Sequence, residues 1–434
     1  MKKTAAIFGV VMVVLGTAFG LAVHNLQKAE GIVQSYDING YSIAYYENHE
    51  VTFENYGDGI DETSVFELAS NGKTVSAYIA LKMVDEGKIN LEDKIAPFLD
   101  EEFLTDDERI YNITLKQLLC HTAGFSPSFE LGIDKKIYTD PGVEFRYSGV
   151  GYIYLQNVIE NVSGMTLEEA AGYYVFEPLG MDNSSFAHTK TVTPYMNLSL
   201  VVLYIFSVFA IVFIVLLVIV SAVGKITKRT FLSHKIIFCG LFLTAGMINT
   251  LFLLFVVSKV VVIFESCFAL MGLLLFLARK KTKAFYAVVP VMTAFMLILG
   301  FTIPISMPVT NEVVDREPNC AYTFKSTCED MSVFCQELMR QYHSGDGAVI
   351  DMFSVAVDID GVNKWGLGIA IEAEKQGETY WHSGINPGFQ SLFVLYPLQD
   401  KYVIILTNSD NGLLFAQKTA GVFLEVDGKW EIQR

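Results

Sequence analysis

Apolar and polar positions divide this chain into stretches of two kinds. Between residues 198 and 304 polar side chains almost vanish, leaving four apolar runs at about 198–223, 236–258, 260–278 and 284–304. Each is long enough to cross about 30 Å of hydrocarbon as a helix. A fifth run, 5–23, follows Met1-Lys2-Lys3. Lysines before such a run mark a secretory signal or a signal anchor. Ala18-Phe19-Gly20 is only a fair cleavage site, so an uncleaved anchor is the favoured reading. On either reading the chain that follows is exported.

The remaining stretches alternate or repeat with shorter periods. Tyr41, Ile43 and Tyr45 alternate with Ser42, Ala44 and Tyr46, and Val51, Phe53 and Tyr56 follow. This predicts an antiparallel hairpin over 31–54, with a turn assigned to Asn39-Gly40. Helices are expected after Ser70 up to Gly87, over 115–120, over 150–161, and over 326–343 with Ser326 or Thr327 as N-cap. Strands are expected near 366–373, 379–382, 391–396 and 402–407, then a short helix near 413–424. Helices early and an antiparallel meander late make an α+β domain whose first and last segments share one sheet. Neither polar stretch is complete alone. The reading is therefore a signal segment (1–30), one domain in two parts (31–196 and 306–434), and a four-helix membrane insert (197–305). An even number of crossings lets both parts meet on one side.

Charge supports that division. The chain has 434 residues, a net charge of −16 and a mean hydropathy of +0.39. Of its 31 Lys/Arg and 47 Asp/Glu, 9 basic residues and a single acid, Glu265, fall between 197 and 306. The acidic balance elsewhere argues against nucleic acid as a partner. Lys225, Lys228, Arg229 and Lys235 lie between the first and second runs, and Arg279, Lys280, Lys281 and Lys283 between the third and fourth. Cytoplasmic loops carry the Lys/Arg excess, which places both polar stretches outside the cell membrane. Glu265 sits close enough to the outer edge of its run to reach the interface. Six cysteines are too few for a disulfide framework in so long a chain. A Cys320–Cys328 bridge is not expected, and no metal-ligand spacing or cofactor motif is present.

Ser70-Asn71-Gly72-Lys73 places a serine one helical turn before a lysine, at a helix start where backbone N–H groups are free. A buried lysine there can accept the serine's proton. Alone the tetrapeptide is a weak signal, because such pairs recur on ordinary helix surfaces. Its surroundings are more specific. It is followed by Ile113-Thr114-Leu115 running into Cys120-His121-Thr122-Ala123-Gly124, by Pro141-Gly142, and by Tyr147-Ser148-Gly149-Val150-Gly151-Tyr152. Then come Pro178-Leu179-Gly180-Met181, Ser326-Thr327-Cys328-Glu329-Asp330, Trp381-His382-Ser383-Gly384 and Pro387-Gly388-Phe389. In this order they resemble the landmarks of the class C β-lactamase and D-alanyl-D-alanine carboxypeptidase family of penicillin-recognising serine hydrolases, over about 31–190 and 318–425.

That resemblance implies a β-lactamase/transpeptidase-like fold and an acyl-enzyme mechanism without a cofactor. It implies Ser70 as nucleophile, Lys73 as its proton partner, and Tyr147 as the phenol serving the leaving group and the deacylating water. His382, Ser383 and Gly384 would line the substrate, with Gly384 letting it approach the strand edge. The N–H groups of Ser70 and Ile385 would form an oxyanion hole. Two departures qualify it. Gly149 stands where the family has an asparagine in Tyr-x-Asn, and His382 stands where many members have a permanent cation. Both argue against an efficient β-lactamase and leave a peptidase, amidase or esterase on a peptide-like or ester substrate. A penicillin-recognising sensor or a non-catalytic binding module, signalling through the membrane helices, is the alternative. Cys120 beside His121 is not expected to form a dyad, because adjacent residues of a helix or strand do not face each other.

Overall fold

The computed structural model describes residues 36, 38–127, 135–187, 189–197, 306–308 and 317–432. The chain divides into two compact units, one of residues 1–30 and 197–307, the other of residues 31–196 and 308–434. Of the first unit only residues 197, 306 and 307 are described. The five apolar runs and Glu265 lie outside the described residues, among which no helix is long and apolar enough to cross a membrane.

The second unit is α+β. Its main sheet has eight strands in the order β2-β1-β12-β11-β10-β9-β8-β7. β1 (Tyr41–Glu47) and β2 (Glu50–Tyr56) form the early hairpin. The others are β7 (Val357–Asp358), β8 (Asn363–Trp365), β9 (Ala370–Glu374), β10 (Gly377–Asn386), β11 (Phe389–Tyr396) and β12 (Lys401–Thr407). β1 pairs antiparallel with β12, Tyr41 opposite Thr407 and Tyr46 opposite Tyr402. The first and last strands therefore do share a sheet. Alternation along β1 feeds both faces. Tyr41 and Tyr45 meet Phe415 and Phe423 of helix α5 (Gly412–Leu424) at 5.1 and 4.8 Å between ring centroids. On the other face the Ser42 carbonyl accepts from Cys328 Sγ, and Tyr46 stacks on Tyr402. Cys328 begins helix α4 (Cys328–Ser344), capped by Thr327. The remaining helices that position the site are α1 (Gly72–Asp85), α2 (Leu115–Leu119) and α3 (Gly149–Ser163).

Three expectations need correction. The hairpin turn is Asn48-His49, not Asn39-Gly40. Glu47 pairs with Glu50, and both turn residues have positive φ, 55° and 64°, as a tight two-residue connection between twisted strands requires. The strand expected over 366–373 is shorter: β8 ends at Trp365, residues 366–369 form the turn, and β9 begins at Ala370. Gly368, at φ 81°, turns the chain at a point where a Cβ would collide with Ala77 of α1. The strand expected to end at His382 runs on to Asn386. Ser383 and Gly384 lack apolar bulk, but their backbones pair with Leu392 and Ser391.

Two small sheets bring distant segments together. β3 (Phe66–Ala69) pairs with β6 (Phe324–Ser326), Phe66 opposite Ser326. β4 (Tyr195–Asn197) pairs with β5 (Ser306–Pro308), so the points where the chain leaves and re-enters the described residues are adjacent. The four described cysteines Cys120, Cys320, Cys328 and Cys335 are free and buried.

Candidate active site

Ser70 sits where β3 turns into α1. The turn is sharp: Ala69 takes φ 48°, a region that a residue with a Cβ seldom adopts, and the Leu68 carbonyl accepts from Asn71 N at 3.1 Å. Gly72 is required here, because a Cβ would stand 2.6 Å from Cβ of Phe324 on β6. One turn on, Lys73 is 2% exposed. Its Nζ donates to Ser70 Oγ at 2.9 Å and to the Ala321 carbonyl at 2.6 Å. It also lies 5.1 and 5.7 Å from the ring centroids of Tyr147 and Tyr152. A carbonyl and two π faces are what a buried ammonium group needs in place of water.

Tyr147 is held by its neighbours. Arg146 N donates to the His121 carbonyl at 2.7 Å, and Ser148 N donates to His121 Nδ1 at 3.1 Å. His121 thus brackets Tyr147 on both sides, and the two rings lie 4.5 Å apart. Since its Nδ1 accepts, the His121 proton is on Nε2. Burial, then the nearby Lys73 charge, pushes the His121 pKa well below the usual histidine value. Ser148 caps α3, its Oγ accepting from Gly151 N at 2.9 Å. Gly149 is buried, and its N–H donates to the Pro127 carbonyl at 3.0 Å. The family's asparagine amide has no counterpart there, and Ala321 supplies a carbonyl to Lys73 instead. The Cys120 thiol lies 3.2 Å from Thr122 Oγ1, and burial raises its pKa. Cys120 and His121 make no dyad.

β10 forms the opposite wall. His382 is buried, and its Nδ1 lies 2.8 Å from the Ser383 carbonyl. A carbonyl only accepts, so Nδ1 carries the proton and Nε2 keeps its lone pair. Burial, then Lys73, lowers the His382 pKa to about 3, so the ring is neutral at pH 7. Gly384 also has a packing role. A Cβ there would collide with the Leu68 carbonyl, so the glycine lets β10 pack against the strand that carries Ser70. Ile385 is 52% exposed.

Ser70, Tyr147, His382, Ser383 and Ile385 line one pocket of about 340 Å³. Lys73 lies behind Ser70, while Gly149 and Gly384 are not among the lining residues. The other walls were not foreseen in the sequence: Trp365, Trp381, Leu413 and the segment Trp430–Ile432. The chain has 3 tryptophans, and all of them are here. That clustering was the available signal, but tryptophans 65 residues apart in sequence do not announce a shared wall. Among the described residues no group of three or more His, Cys, Asp or Glu is placed to hold a metal ion.

Residues 26–195 match the family model described as Beta-lactamase. The protein named flp of Staphylococcus aureus strain MW2 is 28% identical over 193 residues. That alignment covers 38% of this chain and 37% of flp, so it spans little more than a third of the curated relative. Among solved structures, a D-stereospecific amidohydrolase from Streptomyces superposes with a TM-score of 0.57 at 16% identity, covering 92% of this chain and 97% of that one. A class C β-lactamase superposes with a TM-score of 0.58 at 13% identity, covering 93% and 94%. The fold is β-lactamase/transpeptidase-like.

Proposed function

We propose that this chain is a serine hydrolase that works through an acyl-enzyme on Ser70, a peptidase, amidase or esterase acting on peptide-like or ester substrates at the outer face of a membrane. The observation that carries the reading is the 2.9 Å contact between Lys73 Nζ and Ser70 Oγ at the floor of a pocket shared with Tyr147 and β10. For attack, Lys73 first gives up the proton it donates along that contact, and the resulting amine takes the Ser70 proton while Oγ attacks the substrate carbonyl. The tetrahedral oxyanion is received by the N–H groups of Ser70 and Ile385, each such donor being worth about 3–4 kcal/mol in serine enzymes. Tyr147 donates a proton to the leaving group, then takes one from the water that hydrolyses the ester. The family match at 26–195 and the fold support this reading, as does the likeness to the D-stereospecific amidohydrolase.

The apolar runs outside the described residues would make the chain a multi-pass membrane protein with residues 31–196 and 306–434 on the same, extracytoplasmic side. The adjacency of β4 and β5 supports that arrangement. Mass spectrometry of the full chain after exposure to a penicillin or a fluorophosphonate tests the chemistry. One adduct is expected on Ser70 and none in Ser70→Ala, and an adduct surviving the substitution would overturn the nucleophile. Cysteine tags at the exposed Asp58 and Asp346 should react with an impermeant reagent in intact cells while one at Thr230 stays silent. Opposite outcomes at Asp58 and Asp346 would overturn the single-sided arrangement.

A further inference from the structure

The pocket wall opposite Lys73 is completed by a segment that follows α5, and it is built in. Glu372 on β9 is 4% exposed, and its carboxylate accepts from Lys429 N at 2.8 Å and Trp430 N at 2.7 Å. The Trp430 indole donates to Thr379 Oγ1 at 3.1 Å, and its carbonyl accepts from Gln417 at 3.2 Å. Trp430 itself takes φ 45° and is fully buried. This clamp sets the next two residues, Glu431 and Ile432, at the pocket rim.

The charge of the resulting pocket is one-sided, although its polar groups include donors, the unpartnered Trp381 Nε1–H among them. Glu431 is its only charged lining residue, and no Lys or Arg lines it. Among the described residues no basic side chain lies within ion-pair distance of Glu431. Lys73 is buried and already donates to Ser70 and Ala321. His382 is neutral with its Nδ1 proton committed, and its Nε2 is a buried lone pair with no partner. Ile385, Leu413 and Ile432 supply the open apolar area, backed by three buried tryptophans. The Glu431 carboxylate beside an apolar lining complements a cationic group and repels a carboxylate.

We propose that the Ser70 pocket selects substrates carrying an ammonium or other cationic group beside an apolar moiety, and rejects those presenting a free carboxylate, with Glu431 as the residue that sets this preference. The inference rests on the serine hydrolase reading above for the word substrate, but the recognition itself needs no turnover.

Because the chain's 3 tryptophans are those of the pocket, intrinsic fluorescence reports its occupancy directly. The full chain with Ser70→Ala is titrated with phenethylammonium, phenethyl alcohol and 3-phenylpropionate, which share a ring and differ in charge. The expected order of affinity is ammonium, alcohol, carboxylate. Glu431→Gln should narrow the ammonium-to-carboxylate ratio by about two- to five-fold, the size of a partly screened ion pair. Glu431→Lys should invert the order. A carboxylate that binds as well as the ammonium ion, an unchanged ratio in Glu431→Gln, or no response to any of the three would each overturn the proposal. Labelling of wild-type Ser70 by a fluorophosphonate is scored separately. A labelled serine with no cation preference removes this inference and leaves the hydrolase reading. An unlabelled serine with a cation-selective pocket does the reverse.

Discussion

The two walls of the Ser70 pocket are built differently. On the α1 and α3 wall most polar groups are closed on one another, His121 Nε2 and Asn71 Oδ1 being buried exceptions. Lys73 donates to Ser70 and to Ala321, His121 brackets Tyr147 through Arg146 N and Ser148 N, and Ser148 caps α3. On the β10 wall polar atoms are left open. His382 Nε2 and Trp381 Nε1 are buried without a partner, and Ile385 and Glu431 are exposed. Buried polar groups are normally paired, and both walls carry exceptions; the difference is that one wall holds the Ser70–Lys73 contact and the other presents the exposed Ile385 and Glu431. The same division predicts which substitutions stop the chemistry and which redirect it.

The largest effects belong to the closed wall. Lys73→Ala and Tyr147→Phe should each slow acylation of Ser70 by about 10²–10⁴-fold, the usual contribution of a positioned acid or base. The loss should be the same for cationic and neutral substrates, because neither residue reads the substrate's charge. The check is the stopped-flow acylation rate with a matched pair of esters. Near wild-type rates in either variant would remove that residue from proton transfer, and a loss confined to one ester would break the separation between the walls.

An intermediate effect concerns the two neutral histidines, one on each wall. In an unfolded chain a histidine titrates near 6.5. Folded, His382 titrates near 3 and His121 well below its usual value, both mainly because burial disfavours the charged ring. The folded pKa values are depressed, so between about pH 6.5 and 3 the unfolded chain binds protons that the folded chain does not. Stability is therefore lost as pH falls through that window, at up to about 1.4 kcal/mol per pH unit for each histidine. His382→Gln should flatten the dependence of the denaturation midpoint between pH 6.5 and 4.5 and leave stability at pH 7.5 less affected. An equal slope in wild type and variant would show that His382 is not buried neutral. The same depression predicts no inflection from His382 in a rate profile between pH 5 and 8.

The closed wall was the legible one. Ser70, Lys73 and Tyr147 announce themselves through local spacing and neighbouring landmarks, and a helix turn converts that spacing into contact with no help from distant chain. The α+β class and the shared first and last strands were legible too, because alternation over 41–46 and 402–407 is strong. What escaped was made by tertiary contact. The Ala321 carbonyl has no side-chain signature. His121 reads as a packing landmark until the chain folds 146–148 around it. The packing of Gly384 against the Leu68 carbonyl escapes because that neighbour is more than 300 residues away in sequence. Trp430 and Glu431 reach the pocket only through the Glu372 clamp. Register errors had a local cause: positive φ at Asn48 and His49, without a glycine, disguised the hairpin turn.

The smallest effect expected tests whether the closed wall is complete. Gly149 occupies the position where the resembled family has an asparagine amide facing the lysine and the substrate. Here Lys73 already has two acceptors, Ser70 Oγ and the Ala321 carbonyl. A new amide at 149 would therefore add little to lysine placement. If its side chain extends from the buried Gly149 into the pocket, as the resemblance implies, it adds a donor beside the acyl carbonyl, an interaction worth roughly 0.5–1.5 kcal/mol, or about two- to ten-fold in rate. An amide substrate, whose poorer leaving group makes acylation harder, should gain more from it than an ester. Gly149→Asn should thus raise the amide-to-ester ratio of kcat/KM by a few-fold while the fluorescence order of ammonium over carboxylate stays as in wild type, since that order is set on the β10 wall. Should the charge preference move with Gly149 and the amide-to-ester ratio stay fixed, the two walls are not separable, and selection and chemistry would have to be assigned to one coupled set of residues.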